Sequence, residues 1–324
     1  MRHDAWRRDA ASYPLRGELL PRYTDVDVWQ HLNNTALISM HGEAVQQTLR
    51  GVFGPDAWRS QLPVLACVRN GTDFLAEAHY PAPLTWGGRV LGIDAAGLRV
   101  ATALFQHDRC VGVHDTSFAG WTEGTAGGLG AQALATLKAA GVPGASDVDG
   151  ETVLSPAAGL AAEAKALAHF PWHATLAVRF ADSDARRLAS DTWLARCAEQ
   201  VRVDFLGQVF ANRRTSLGGM MVAHVSLRWL HRAAPGPRWE AGCGVSHLGE
   251  RSLAVRSAMF DGGICVAVCD SVMVAIDAET RRSAALPETA RAQLAAYRLQ
   301  AVTLPETTPA TPEASRTAPP DAPA

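Results

Sequence analysis

The sequence lacks the marks of several large protein classes. In 324 residues, no run approaches the roughly 18 uninterrupted apolar residues that a membrane helix needs. The opening MRHDAWRRDAASY is polar and has no apolar h-region, which argues against a secretory signal; Asp4 and Asp9 argue against a transit peptide. None of the six cysteines forms a CxxC pair, so buried free thiols in a reducing, cytoplasmic setting are expected. Cys265 and Cys269, four apart in a strand-like run, are expected on one face, too far apart for a local bridge. No His/Cys cluster has zinc spacing: His169 and His173 are separated by Pro171, which disfavours a shared helical face. No metal and no cofactor are therefore expected. A net charge of −2 gives no electrostatic reason to bind nucleic acid or an anionic membrane. There is no GxSxG nucleophile elbow. The glycine pairs at 127–130 follow no phosphate-binding pattern and read as linker.

What is present is apolar bulk and a repeat. At 48% hydrophobic and 19% charged, the chain can bury cores for two domains of ordinary size. YPLRGELLPRYTDVD at 13–27 aligns without a gap to FPWHATLAVRFADSD at 170–184, an offset of 157 residues. Pro14/Pro171, Leu19/Leu176, Arg22/Arg179, Asp25/Asp182 and Asp27/Asp184 are identical. A helical pattern follows each copy. The first is expected from about Asn34 to Arg50, ending at Gly51; the second from about Thr192 to Leu206, ending at Gly207. Each helix is followed by about four strand-like runs. Turns are expected at His107-Asp108-Arg109 and at Asp261-Gly262-Gly263. Strands joined by turns exclude a doubly wound parallel sheet, so the fold class is α+β in tandem. Phe105 pairs with Phe260 at an offset of 155, placing a shorter loop in the second copy.

Five segments result: an N-terminal extension at 1–12, a first domain at 13–122, a linker with short helices at 123–169, a second domain at 170–302 and a tail at 303–324. Within the linker, Gln132 to Ala140 and a segment opened by Ser155-Pro156 read as helical. The tail holds six of the 18 prolines and is expected to be disordered.

The chemistry concentrates at Arg22–Glu43. Asp27 and His31 lie just ahead of a helix start, whose free N–H groups near Asn33–Ala36 favour developing negative charge. Asp27 is the candidate base or nucleophile, and His31 the candidate to orient water or substrate, or to donate a proton. A thiol leaving group, with a pKa of about 8.5, asks little of such a site. Asn33 and Asn34 read either as site groups or as helix caps. Asp25 reads as structural, paired with Arg22; His41 as a core histidine; Glu43 as solvated. Trp29, Trp86, Trp193 and Trp229 are expected in the core or an interface, with Trp29 close enough to the motif to contact substrate.

DVDVWQHLNN, opening a helix after a strand, resembles the DxDxxxHxNN signature of hotdog-fold acyl-CoA and acyl-ACP thioesterases, the 4-hydroxybenzoyl-CoA thioesterase and acyl-ACP thioesterase-like group. The resemblance covers roughly 13–122 and 170–298. It implies two tandem hotdog domains, each a curved antiparallel sheet wrapped around a central helix, with an active site between them. It also implies Asp27 as the catalytic carboxylate with His31 and Asn33 beside it, Asn34 and Trp29 near the substrate, and an acyl-CoA as that substrate. The plant-type acyl-ACP wording has an Asn where Trp29 stands. In the second copy Asp184 remains, but Leu188 replaces His31 and Ser190-Asp191 replace the asparagines, so a second, degenerate site is expected. The competing readings are a non-catalytic acyl-CoA-binding protein, an acyl-ACP thioesterase and a hotdog hydratase. A homodimer of double units stays open.

Overall fold

The computed structural model describes residues 4–55, 65–122, 125–139, 166–211, 219–232, 234–277, 279–280 and 282–299. The tail at 303–324 and the Ser155-Pro156 segment lie outside the described residues.

Both halves are built alike. A strand (β1, Leu15–Leu19; β7, Trp172–Ala177) leads through a short 3-10 turn into one long helix (α1, Asn34–Phe53; α3, Asp191–Val209). Four long strands follow each helix. In the first half they are β2 (Leu65–Phe74), β3 (Leu84–Ile93), β4 (Leu98–Gln106) and β5 (Arg109–Thr122). A short β6 (Thr125–Gly127) and a helix α2 (Ala131–Ala139) come next. In the second half the strands are β8 (Gly219–Trp229), β9 (Arg238–Leu248), β10 (Ser252–Asp261) and β11 (Ile264–Ile276), closed by α4 (Glu288–Ala295).

All the strands belong to one antiparallel sheet. Its order is β1-β3-β4-β5-β2-β8-β11-β10-β9-β7, with β6 attached to β5. That order reads the same from either end once equivalent strands are matched, so a pseudo-twofold axis passes between β2 and β8. Their register runs from Arg69 opposite Arg228 to Asp73 opposite His224. Both helices pack on one face of the sheet. A shared core joins Ile38, Val45 and Leu49 of α1 to Leu194, Val201 and Phe205 of α3, with Leu227 of β8 beneath them. Phe205 alone, fully buried, contributes roughly 2–3 kcal/mol of apolar transfer. On the opposite face, equivalent clusters gather around Tyr13 with Phe105 and around Phe170 with Phe260. The N-terminal 3-10 turn at Ala5–Arg8 lies against this second face, with Arg7 buried.

Three expectations are corrected. Helix α1 runs through Gly51, where the missing side chain lets Leu15 of β1 approach; an added Cβ would lie 3.0 Å from the leucine methyl. The stop is Gly54, at φ +94°, a conformation suited to glycine. Helix α3 likewise passes Gly207 by two residues, held by Gln208, which accepts from Trp172 Nε1 at 2.7 Å, and by buried Val209. Cys265 and Cys269 lie on opposite faces, because the β10–β11 register shifts beyond Met259 and turns Cys265 outward to the Phe260 cluster. The turns fall as expected: His107 and Asp108, like Gly262 and Gly263, take positive φ at the hairpin tips. The cysteines are all free, and all but Cys110 are buried.

Candidate active site

The motif folds into a tight loop ahead of α1. Val26 bridges Leu32, and Asp27 N–H donates to the His31 carbonyl at 3.0 Å. Gln30 at the tip takes φ 66°. Below the loop, Asp25 is buried and receives the Arg22 backbone N–H at 2.7 Å and its guanidinium at 2.8 Å. Burial raises the Asp25 carboxyl, but the hydrogen bonds from Arg22 outweigh it and hold it below its usual value. Asp182 and Arg179 form the same box in the second half.

This loop brings Asp27 and His31 together. Asp27 Oδ2 lies 3.2 Å from His31 Nδ1, while Oδ1 accepts the Trp29 backbone N–H at 2.8 Å. Both side chains keep part of their surface open, 17% for the carboxylate and 23% for the imidazole. Asn33 is the N-cap of α1: its Oδ1 accepts from the Thr35 N–H at 2.6 Å and the Thr35 hydroxyl at 2.7 Å. The Thr35 amide is thereby taken, leaving the Asn34 and Ala36 N–H groups as the first-turn donors without an intrahelical partner. Asn34 Oδ1 is buried with no hydrogen-bond partner. Leaving a carbonyl oxygen in that state costs about 1–3 kcal/mol, which marks it as a place where a ligand donor would fit. Trp29 is 72% exposed and so belongs to no core, unlike Trp86, Trp193 and Trp229. Leu20, Tyr23, Val28 and Tyr80 are exposed as well.

One further group comes from the other half of the chain. Glu199 of α3 accepts from Asn33 Nδ2 at 3.0 Å and from the Thr35 hydroxyl at 3.4 Å. A carboxylate from the second copy is thus tied to the helix start of the first. Sequence reasoning missed it; the one available signal was its repeat mate, Gly42, which cannot supply a carboxylate.

The second loop has the same backbone and different chemistry. Asp184 N–H donates to Leu188 O at 2.7 Å, and Asp184 Oδ1 accepts from the Arg186 and Leu188 N–H groups. Ser190 caps α3. Where Glu77 stands in the first half, the second has Arg232. Its buried guanidinium lies 3.3 Å from Asp191 and 3.7 Å from Asp184, and it donates to the carbonyls of Cys67 and Ala189. The first loop holds a carboxylate–imidazole pair facing open space, whereas the second holds a carboxylate beside a fixed cation.

His41 is a core residue, as expected. It is fully buried, its Nδ1 lies 2.9 Å from the Thr102 hydroxyl, and it stacks on His114 at 5.0 Å. Burial pushes both imidazoles down, His114 to about 4. Glu43 is exposed and, among the described residues, bonds only along its own helix to Gln47. Among the described residues, no group of three or more metal-binding side chains occurs, and no helix is long and apolar enough to cross a membrane.

Comparison with known proteins agrees with this architecture. Residues 178–294 match the model of the Thioesterase-like superfamily. The chain has a tandem hotdog fold, and its second half matches the thioesterase-like family. Solved hotdog structures follow it over most of its length. A putative oleoyl thioesterase from Lactobacillus plantarum is 12% identical, with a TM-score of 0.61, covering 81% of this chain and 95% of that one. An acyl-ACP thioesterase from Bacteroides thetaiotaomicron is 11% identical, with a TM-score of 0.56, over 80% and 97%. The 12:0-ACP thioesterase from Umbellularia californica is 9% identical, with a TM-score of 0.55, over 79% and 95%. No curated protein sequence matches the chain. The family match lies on the second hotdog unit; the internal repeat and the continuous sheet extend the same fold to the first.

Proposed function

We propose that the chain hydrolyses an acyl thioester to the free acid and a thiol, at the Asp27 loop alone. The observation that carries this reading is the Asp27–His31 contact at 3.2 Å, which has no counterpart in the second copy. Asp27 Oδ2 at 3.2 Å and the Leu32 carbonyl at 3.4 Å both lie on the Nδ1 side of the imidazole, so Nε2 is the nitrogen left to take a proton from water and later return it to the thiolate. The same carboxylate, partly open, is the group that would attack directly in a covalent route. The Asn34 and Ala36 amides at the start of α1 would hold the oxyanion, aided by the helix dipole. Asn33 is a positioning residue, with both ends of its amide committed. Asn34 Oδ1 would accept a hydrogen bond from the substrate, and exposed Trp29 would flank the entrance.

The expected substrate is an acyl-CoA. A second reading, acyl-ACP, is favoured by the names of two of the similar structures, and both carriers present the same kind of alkyl thiol to the site. Thiol release should be followed with a panel of acyl-CoAs and acyl-ACPs, using the wild-type chain and His31→Ala. Turnover of one carrier class, reduced about 10²–10⁴-fold by the substitution, is expected for general acid–base chemistry. Saturable acyl-CoA binding without turnover on either panel would overturn hydrolysis in favour of a binding protein. Single turnover in ¹⁸O-water, followed by mass analysis of the Asp27 peptide, detects a covalent route in which water opens the mixed anhydride at the Asp27 carbonyl, and trapping with hydroxylamine detects the anhydride whichever carbonyl water attacks.

A further inference from the structure

The face of the sheet away from α1 and α3 holds a cleft at the pseudo-twofold axis, with a cavity of about 280 Å³. His114 points to the helices, where it stacks on His41, so its neighbour Asp115 points the other way, into this cleft. The cleft is therefore separated by the sheet from the Asp27 loop. Arg69, Arg99, Arg228, Asp115, Asp270 and Ser226 are among its lining residues.

The charges in it do not balance. Asp115 is engaged twice, by Arg7 at 3.0 Å and by Arg99 at 2.8 Å. Asp270 is held in a two-pronged pair by Arg256, at 2.8 and 3.2 Å. Both carboxylates are thus committed. Arg69 gives its Nε to the Ser117 hydroxyl at 3.2 Å, a neutral partner. Arg228 makes no hydrogen bond or ion pair among the described residues. It is half-buried, and it stands directly opposite Arg69 in the β2–β8 ladder. Like charges directly opposite one another across a ladder are destabilising. Burial lowers the Arg228 pKa, Arg69 and Arg256 lower it further, and Asp270 offsets this only in part.

The pseudo-symmetry supplies a control within the same molecule. Across the axis, the positions equivalent to Arg228 and Arg69 are Asp73 and His224, which form a contact of 2.7 Å. One side of the axis is satisfied internally and the other presents two guanidinium groups to a cavity.

We propose that this cleft binds a small ligand through a phosphate or pyrophosphate group, held between Arg69 and Arg228. Opposed residues in an antiparallel pair lie about 4.5–5.5 Å apart, close enough for two guanidinium forks to grip oxygens of one anion. Two unmatched cations call for a dianion, which a phosphate supplies and a monocarboxylate does not. Ser226, on the strand beside Arg228, offers a hydroxyl on the same face.

Isothermal titration calorimetry of the full chain in chloride buffer at fixed ionic strength tests this, with inorganic phosphate, inorganic pyrophosphate, ribose 5-phosphate and succinate as probes. One saturable site for a phosphate-bearing probe is expected. Arg228→Gln and Arg69→Gln should each weaken it at least tenfold, Arg228→Lys less, and Arg109→Gln, on an exposed hairpin, not at all. Tighter binding of ribose 5-phosphate than of the inorganic anions would assign the group to an organic ligand; the reverse order would assign a free anion. Without any probe, Arg228→Gln should melt no lower than wild type, since it relieves a like-charge pair; a purely structural arginine would cost stability on removal. Absence of saturable binding by wild type to every phosphate probe, affinity unchanged in Arg228→Gln, or succinate binding as tightly as pyrophosphate would overturn the proposal.

Discussion

Replacing Asn33 by Asp should destabilise the chain in a pH-dependent way that Glu199→Gln reverses. Asn33 performs two tasks: Oδ1 caps α1 through Thr35, and Nδ2 donates to Glu199 of the other half. Asn33→Ala removes both, and the cap alone is worth about 1 kcal/mol. Asn33→Asp isolates the second task, because aspartate caps as well as asparagine. It places a carboxylate where the 3.0 Å donor was, facing Glu199 Oε1. Two like charges at about 4 Å repel by roughly 1–4 kcal/mol between water and a protein surface, and the quarter-open Glu199 favours the lower half of that range. At about 2–4 °C per kcal/mol for chains of this order of size, the melting temperature should fall by roughly 2–10 °C at pH 8. The folded pair would hold a shared proton more tightly than the unfolded chain does, so stability falls as pH rises and the deficit should fade toward pH 4. In Asn33→Asp/Glu199→Gln the Gln amide can donate to the new carboxylate, and most of the loss should return. Melting curves of the four proteins at pH 4 and pH 8 decide the matter. A deficit that is equal at both pH values, or one that Glu199→Gln leaves in place, would refute the inter-half tie.

Three further outcomes follow from buried and half-buried groups. His114 is neutral in the fold with its pKa lowered to about 4, so its contribution is present above about pH 6.5 and lost as pH falls toward 4. Over that window it accounts for ~3 kcal/mol, and His114→Asn should flatten the acid side of a denaturant-midpoint-versus-pH curve. Arg232→Ala removes a buried cation that stacks on Trp229 and leaves two carbonyls without its donors, and should lower urea stability by about 2–6 kcal/mol. A milder loss with Arg232→Lys would show that the planar fork matters. Burial pushes the Cys110 and Cys197 thiols up to about 11 and about 12, so native protein at pH 8 should react with a disulfide reagent far more slowly than denatured protein.

Much of this architecture was legible before any coordinates because local signals agreed. Turn residues at His107-Asp108 and Gly262-Gly263, alternating strands and a gapless repeat around Asp27 and Asp184 all pointed to two copies of one unit. The helix stops are not legible in the sequence because Gly51 and Gly207 are glycines inside helices, one for close packing against Leu15 and the other carried past by contacts of Gln208 and Val209. The Cys265/Cys269 error has a single cause, a register shift that simple alternation cannot anticipate. At the site, Asp27 and His31 stand out in the sequence just ahead of a helix start, and the family resemblance implies that they lie side by side. The Glu199 tie could not be, since it joins residues 166 apart through the packing of α1 on α3. Arg232 was equally hidden, because its place beside Asp184 depends on the loop after β8 folding back over the second motif.

The central claim is that chemistry survives in the first loop and has been lost from the second. It is tested most directly by kcat/KM for the best acyl-thioester substrate in wild type, Asp27→Ala and Asp184→Ala, with melting temperatures measured alongside. A loss of at least 10²-fold for Asp27→Ala is predicted, with Asp184→Ala within a few-fold of wild type once both are shown to be folded. A collapse of activity in Asp184→Ala with Asp27→Ala unimpaired would contradict the account.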